Sequence, residues 1–441
     1  MLASVTAAVA ATLDPSAVVI AARGGGEPWC CLEQPEREGL ALATLGAAHE
    51  LRASGGERFG SLAADWRALA AAAFRDQPGS APGSGLVAIA GFAFAPDGGR
   101  APHWRAFPPA VLTVPEVSLV RHRGALALTL TVAVAPDDDP EAMLARAEHR
   151  LGELRAAALP LLDPAPIGVY SVASAAPPEH YEAAVARAVE QIRAGSYEKV
   201  VLAREVDVHA PIAFDPGAVL GALRAAFPTC YVFCVGRGEA AFLGASPELL
   251  VRREGMRASS VALAGSTRRS ADPAVDDHLG ERLLRSEKDR SEQAIVARRI
   301  ERALRPYSIW VTAAPEPALV RVANIQHLGT PIRAQLAGPH AAIELAGALH
   351  PTPAVGGEPL TVAGPLIPAL EGIDRGWYAG AVGWTDAEED GELCVALRCA
   401  LLEGPLARCY AGVGVVAGSD PAAELAETEV KLGALLPLLA G

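Results

Sequence analysis

The chain has 441 residues, 51% of them hydrophobic and 20% charged, which is enough to bury a large core as one big domain or two closely packed halves. A formal net charge of -13 argues against nucleic-acid and anionic-membrane partners, because both reward a basic face. Any anionic ligand must therefore be met by a local positive pocket. The apolar start lacks a basic leader and is broken by Asp14 and Pro15, so a signal peptide is not expected, and no later run is suited to span a bilayer. Seven cysteines, scattered and without CxxC spacing, fit reduced thiols of a cytoplasmic protein better than a disulfide framework or a zinc site.

In chain order, residues 17–22, 85–94 and 125–135 are short apolar runs that read as strands, separated by Gly/Pro loops such as residues 78–84. Helical patterning covers residues 62–74 and 140–159. Trp29, Trp66 and Trp104 read as structural aromatics. Nothing here has catalytic spacing, so residues 1–165 are taken as a structural half. A proline-rich link over residues 159–178 leads into a chemical half, residues 166–441.

That half opens with an amphipathic helix over residues 179–194, closed by Gly195. The strand that follows, residues 197–208, puts Lys199 on one face with Val201 and Ala203, where desolvation would favour a neutral amine. Two strands, 231–235 and 240–244, precede the turn Ser246-Pro247-Glu248, so Glu248 sits at a strand junction. Residues 262–269 read as a small, flexible turn whose amides and Ser266 hydroxyl suit an anion. Residues 276–304 read as one long helix carrying Asp289 and Glu292 at i and i+3. Residues 324–332 and 348–357, with His327 and His350, read as turn-rich loops. Residues 377–386 and 393–402 read as neighbouring strands, with Arg398 the lone charge of the second and suited to a bidentate carboxylate contact.

The richest stretch is the last. An apolar, glycine-interrupted strand from Tyr410 turns at Gly418 and Ser419, and a helix starts with Asp420 as N-cap and Pro421 at its first position. Glu424, Glu427 and Lys431 fall at i, i+3 and i+7, so two carboxylates and an ammonium share one face. Gly412, Gly414 and Ala417 match the dinucleotide fingerprint, yet the strand continues through Val415 and Val416 where that motif requires a helix. The glycines instead let backbone approach a small anion. Only Lys199, Lys288 and Lys431 are lysines among the 38 basic residues. Arginine holds its proton, whereas a partly buried lysine can act as a base. Two acidic pairs on separate helices, each near one of these lysines, fit a magnesium ion, which takes few carboxylates and keeps open positions for substrate oxygens.

In order, YEKVVLAR, GASPELL, ALAGSTRRS, SEKDRSEQ, HLGTP, HPTPAVGG, RGWYAGAVGW and AGVGVVAGSDPAAELAETEVK closely resemble the chorismate-utilising enzymes, with GFAFAP at 91–96 matching the family's N-terminal portion. The resemblance implies an α/β (α+β) fold, a large antiparallel β-sandwich flanked by helices. It also implies a magnesium-bound (Mg2+) chorismate in a cleft of the C-terminal part; the chain itself is expected to be a monomer or weak homodimer. Within the family the chain looks most like the isochorismate synthases of menaquinone or siderophore routes. On that resemblance Lys199 is the general base and Glu248 the general acid. Glu292 and Glu427 are direct metal ligands, supported by Asp289 and Glu424. Ser266, His327, Tyr378, Arg398, Gly412, Gly414 and Lys431 hold the substrate.

Sibling activities differ at few positions. Anthranilate synthases resemble this chain but carry glutamine at the place of Lys199, and aminodeoxychorismate synthases commonly carry a lysine where Ala264 stands. A salicylate synthase shares the lysine and both acidic pairs and remains the alternative, as does a catalytically silent chorismate-binding subunit. Two departures from the family pattern are Ser266 in place of threonine and Gln293 in place of histidine.

Overall fold

The structure, a computed structural model, describes residues 1–76, 81–163 and 167–440. Part of the loop expected at 78–84 and the boundary drawn between 165 and 166 lie outside the described residues. Five helices begin alike: Asp14, Asp139, Asp215, Asp272 and Asp420 each cap their helix through the side chain, with proline next at the first position. This signal overrides β propensity at the start of the chain. Residues 17–22, expected as a strand, belong to the helix Pro15–Ala22, because the Asp14 carboxylate accepts from the amides of Ser16 and Ala17. Trp29, Trp66 and Trp104 are buried, and all seven cysteines are buried and free. Among the described residues no helix is long and apolar enough to cross a membrane.

Two large, almost wholly antiparallel sheets dominate, of 13 and 10 strands among the described residues. In the larger, Lys199–His209 lies beside Leu406–Val415, followed by Cys399–Glu403, Ala240–Ser246, Tyr231–Gly238 and then Gly26–Gln34 from the start of the chain. In the smaller, Ile325–Leu336, Arg257–Arg268, Leu249–Glu254, Gly391–Val395, Ala381–Asp386 and Val87–Phe92 are successive neighbours. Strands from before residue 163 thus complete both sheets. Between the sheets one core joins Ala203, Phe233 and Phe242 of the larger to Leu250, Val251, Val382 and Leu393 of the smaller.

Four expectations are corrected. Residues 262–269 are no free turn but the end of Arg257–Arg268, paired residue by residue with Ile325–Leu336. The small residues suggested a loop, but distant pairing decides strand structure, and only a bulge at Gly265, with φ +71°, behaves as a turn. By the same pairing residues 324–332 are strand. The long helix over 276–304 is two helices, Pro273–Arg285 and Glu287–Leu304, because Ser286 leaves helical geometry and its hydroxyl caps the second through the Asp289 amide at 3.3 Å. Residues 393–402 are not one strand either: the run leaves the smaller sheet after Val395 and enters the larger at Cys399, with Arg398 at φ +49° in the crossing.

Candidate active site

Two crossings between the sheets lie side by side and make a corner. Ala240–Ser246 passes into Leu249–Glu254 through Pro247 and Glu248, and Gly391–Val395 passes into Cys399–Glu403 through Arg398. The Val395 amide donates to the Glu248 carbonyl at 3.0 Å and the Ala245 amide to the Arg398 carbonyl at 3.1 Å, locking the two crossings together. Beside them Leu406–Val415 loses its neighbour Cys399–Glu403 at Tyr410, so residues 411–415 present an open backbone edge. The gap at this corner is a cleft of about 600 Å³. It is lined by Glu248, Ser266, Glu292, His327, Tyr378, Arg398, Gly412, Gly414, Glu427 and Lys431 among others. Residues from eight separate stretches of the chain, around 248, 266, 292, 327, 378, 398, 412–414 and 427–431, therefore converge.

Lys199 stands behind the cleft's lining residues: it is completely buried and its amine lies 2.9 Å from Glu292, with no further polar partner among the described residues. The strand face that Lys199 shares with Val201 and Ala203 thus meets a carboxylate as well, a contact the strand pattern did not foretell. Gly414 is required by this pair, since a Cβ built there would fall 2.0 Å from Glu292 Oε1 and 2.8 Å from Lys199 Cε. The other two lysines repeat the pattern. Lys431 Nζ is 2.8 Å from Glu427 and donates to the Gly412 carbonyl at 2.9 Å, and Lys288 Nζ is 2.5 Å from buried Glu424. Every lysine of the chain thus holds one acid of this region.

Of the four acids, Glu292 and Glu427 line the cleft, while Asp289 stands behind the Gly265 bulge and Glu424 behind Lys288. Among the described residues no three His, Cys, Asp or Glu side chains already form a metal cage. The donor set nevertheless suits magnesium: hard carboxylate oxygens, few in number, with the Glu292 carboxylate seated against the backbone where Gly414 lacks a side chain. Burial pushes the Glu427 carboxyl up, but Lys431, the Ser266 hydroxyl at 2.6 Å and Lys288 outweigh it and hold Glu427 below the usual carboxylate range. Ser266 thus orients an acid directly. Gln293 turns away from the cleft and donates to Thr330.

The opposite wall is positive. Arg398 Nη2 donates to His327 Nε2 at 3.1 Å, so His327 carries its proton on Nδ1, which donates to the Gly265 carbonyl at 3.2 Å. Burial, with Arg398 and Lys431 nearby, lowers the His327 pKa to about 3, keeping it a neutral acceptor. Both its nitrogens are occupied, so His327 aims Arg398. Tyr378 is buried, stacks on Tyr410 at 5.2 Å, and its hydroxyl stands over Gly412. Across the cleft, burial raises Glu248 to about 7, against the pull of Lys199, Arg398 and Lys431.

Sequence reasoning missed three contributors. Tyr410 forms part of the wall, and Thr352, within the 348–357 segment, brings an otherwise unpartnered buried hydroxyl to Glu248. The third is the buried pair Glu371–Arg375. Glu371 accepts from the Ala203 amide at 2.7 Å, and Arg375 donates to the carbonyls of Val201 at 3.0 Å and Val355 at 2.7 Å. This pair pins the strand that carries Lys199, and its i, i+4 spacing was the signal available.

Comparison with known proteins accords with this arrangement. The chorismate binding enzyme family model matches residues 1–440. A salicylate biosynthesis isochorismate synthase of Pseudomonas aeruginosa is 39% identical over 424 residues, 96% of this chain and 87% of that protein. The isochorismate synthase MenF of Bacillus subtilis is 34% identical over 414 residues, 92% of this chain and 87% of that one. Among solved structures, the menaquinone-specific isochorismate synthase MenF of Escherichia coli superposes with a TM-score of 0.82 at 26% identity, covering 100% of this chain and 95% of its own. The putative 2,3-dihydroxybenzoate-specific isochorismate synthase DhbC of Bacillus anthracis gives 0.75 at 30% identity, covering 94% and 96%. With an antiparallel α+β fold shared along its whole length and a family match from end to end, this chain belongs to the chorismate binding enzymes.

Proposed function

We propose that the protein is an isochorismate synthase, an isomerase that adds water at C2 of chorismate while the C4 hydroxyl leaves. The observation that carries this reading is a cleft in which the Glu248 carboxyl is raised to about 7 and the lining residue Glu292 is backed, 2.9 Å away, by the fully buried Lys199 amine. Lys199 takes a proton from the attacking water, and Glu248, protonated near neutral pH, delivers one to the departing hydroxyl, so atoms and charge balance. Arg398, aimed by His327, and Lys431 bind the substrate's carboxylates, and Tyr378 and the Gly412–Gly414 edge bound the ring. Glu292 and Glu427 would hold Mg2+ with Asp289 and Glu424 behind them, and the ion when bound supplies neutralising charge to the substrate's carboxylate. All of these residues lie in 166–441, which supports a catalytic role for that stretch and a scaffold role for residues 1–165. Seven free thiols suit a reducing, cytoplasmic compartment.

The test is incubation of the purified protein with chorismate and magnesium, with products resolved by chromatography. Isochorismate alone is the expected result. Salicylate with pyruvate would replace the assignment with salicylate synthase, and unchanged chorismate would replace it with a silent binding subunit.

A further inference from the structure

Behind the cleft wall lies a buried charge that the reaction described above does not use. Arg375 lines no part of the cleft, yet it stands directly behind three residues that do. Its Nη2 donates to the Val201 carbonyl at 3.0 Å and its Nη1 to the Val355 carbonyl at 2.7 Å, and its guanidinium carbon lies 5.6 Å from the centre of the Tyr378 ring. Phe94, from the first half of the chain, covers the guanidinium at 4.2 Å. Glu371 completes the set: it accepts from Nε at 3.0 Å and from Nη2, and it holds the Ala203 amide at 2.7 Å.

Stability alone gives no reason for a charge here, since a buried ion pair is often matched by well-packed apolar side chains of similar volume. What an apolar pair lacks is direction. The guanidinium is a rigid, planar fork, and here it reaches two chain segments at once. One is the strand Lys199–His209, which begins at the proposed base. The other is the segment 352–356, where the Thr352 carbonyl accepts from the amides of Val355 and Gly356 at 3.1 and 2.9 Å. The carbonyl held by Arg375 is therefore fixed to the residue whose hydroxyl faces Glu248. The Val201 amide, donating to the Gly356 carbonyl at 2.7 Å, ties the two segments a second time. We propose that Arg375 is a positioning residue of the reaction, fixing the strand of the base against the segment that reaches the acid, with Glu371 holding its fork in plane. This rests on the acid and base roles given above. A shift of either segment moves the reacting groups apart without removing a substrate contact, so the loss falls on turnover and spares KM.

The test compares Arg375→Lys with Arg237→Lys. Arg237 is also buried and donates to a carboxylate, a hydroxyl and a backbone carbonyl, but its partners Glu50, Thr113 and Ala106 do not line the cleft. Lysine is a point charge with three donors and cannot span what the fork spans, so Arg375→Lys should lower kcat on the order of 10–100-fold with KM within about threefold of the wild type. Hydrogen exchange, read by mass spectrometry, should speed up in peptides covering 199–205 and 352–357. Arg237→Lys should leave both readouts as in the wild type. A kcat equal to that of Arg237→Lys, or unchanged exchange in those two peptides, would overturn the proposal. Should Arg375→Lys fail to fold, Glu371→Gln decides by the same two readouts, because it keeps an acceptor for the Ala203 amide but leaves one oxygen where the fork needs two. If the wild type formed no isochorismate, the functional reading would fail separately, and the exchange measurement would still decide whether Arg375 holds the two segments together.

Discussion

Gly414→Ala is the sharpest perturbation of the site, because one methyl group separates fold from chemistry. The added Cβ would lie 2.0 Å from Glu292 Oε1 and 2.8 Å from Lys199 Cε, so the carboxylate must retreat by more than an ångström to reach van der Waals distance. Overpacking of this kind costs roughly 1–3 kcal/mol of stability, which a chain with two large packed sheets survives. The chemistry is less forgiving, since displacing a reacting group by about 1 Å lowers turnover on the order of 100-fold. Steady-state chorismate consumption and a thermal melt, measured on the same preparation, separate the two effects. Gly418→Ala is the control, because nothing lies within 4 Å of a Cβ at that turn. Turnover in Gly414→Ala within a few-fold of the control would refute the claim that the Lys199–Glu292 geometry sets the rate.

Lys199→Arg makes the positive charge against Glu292 permanent and removes the group able to act as a base, so kcat should fall by about 10²–10⁴ while the protein stays folded; a near-normal rate would take Lys199 out of that role. For Glu248, a folded pKa raised to about 7 means activity should decline on the alkaline side as the acid loses its proton. The same shift sets a stability signature. The stability tied to the raised pKa is fully present below the ordinary carboxylate value, 4.5, and is lost as pH rises through about 7. Glu248→Gln, which has no charge to bury, should therefore gain stability over the wild type progressively across that window, read from denaturation midpoints at several pH values. A constant difference from pH 4 to 8 would contradict it.

Much of the site was legible because its residues sit in short motifs whose local order survives folding. Glu424, Glu427 and Lys431 ride a helix announced by Asp420-Pro421, and Glu248 occupies the strand junction expected of it. The same Asp-Pro signal was overlooked at Asp14, where an apolar run imitated a strand. Ser286 was passed over because the apolar stripe continues across it, although serine prefers a cap to a helix interior. The sheet switch at Arg398 left no local mark, as apolar residues flank it on both sides and only pairing with two different sheets reveals the crossing. Nor does any local pattern tell that Glu292 faces Lys199, because 93 positions of chain separate them and the contact is made only when the two sheets close on each other.

The confinement of every lysine to this one corner has a practical consequence. An acylating reagent that modifies side-chain amines finds none on the rest of the surface, where arginine carries the positive charge. Its targets are graded by access: Lys288 is 34% exposed at the side chain, Lys431 11% and Lys199 not at all. Peptide mapping after brief acylation therefore gives an occupancy gauge, in which anything that fills or tightens the corner slows modification at three named positions with no other side-chain amine to add background.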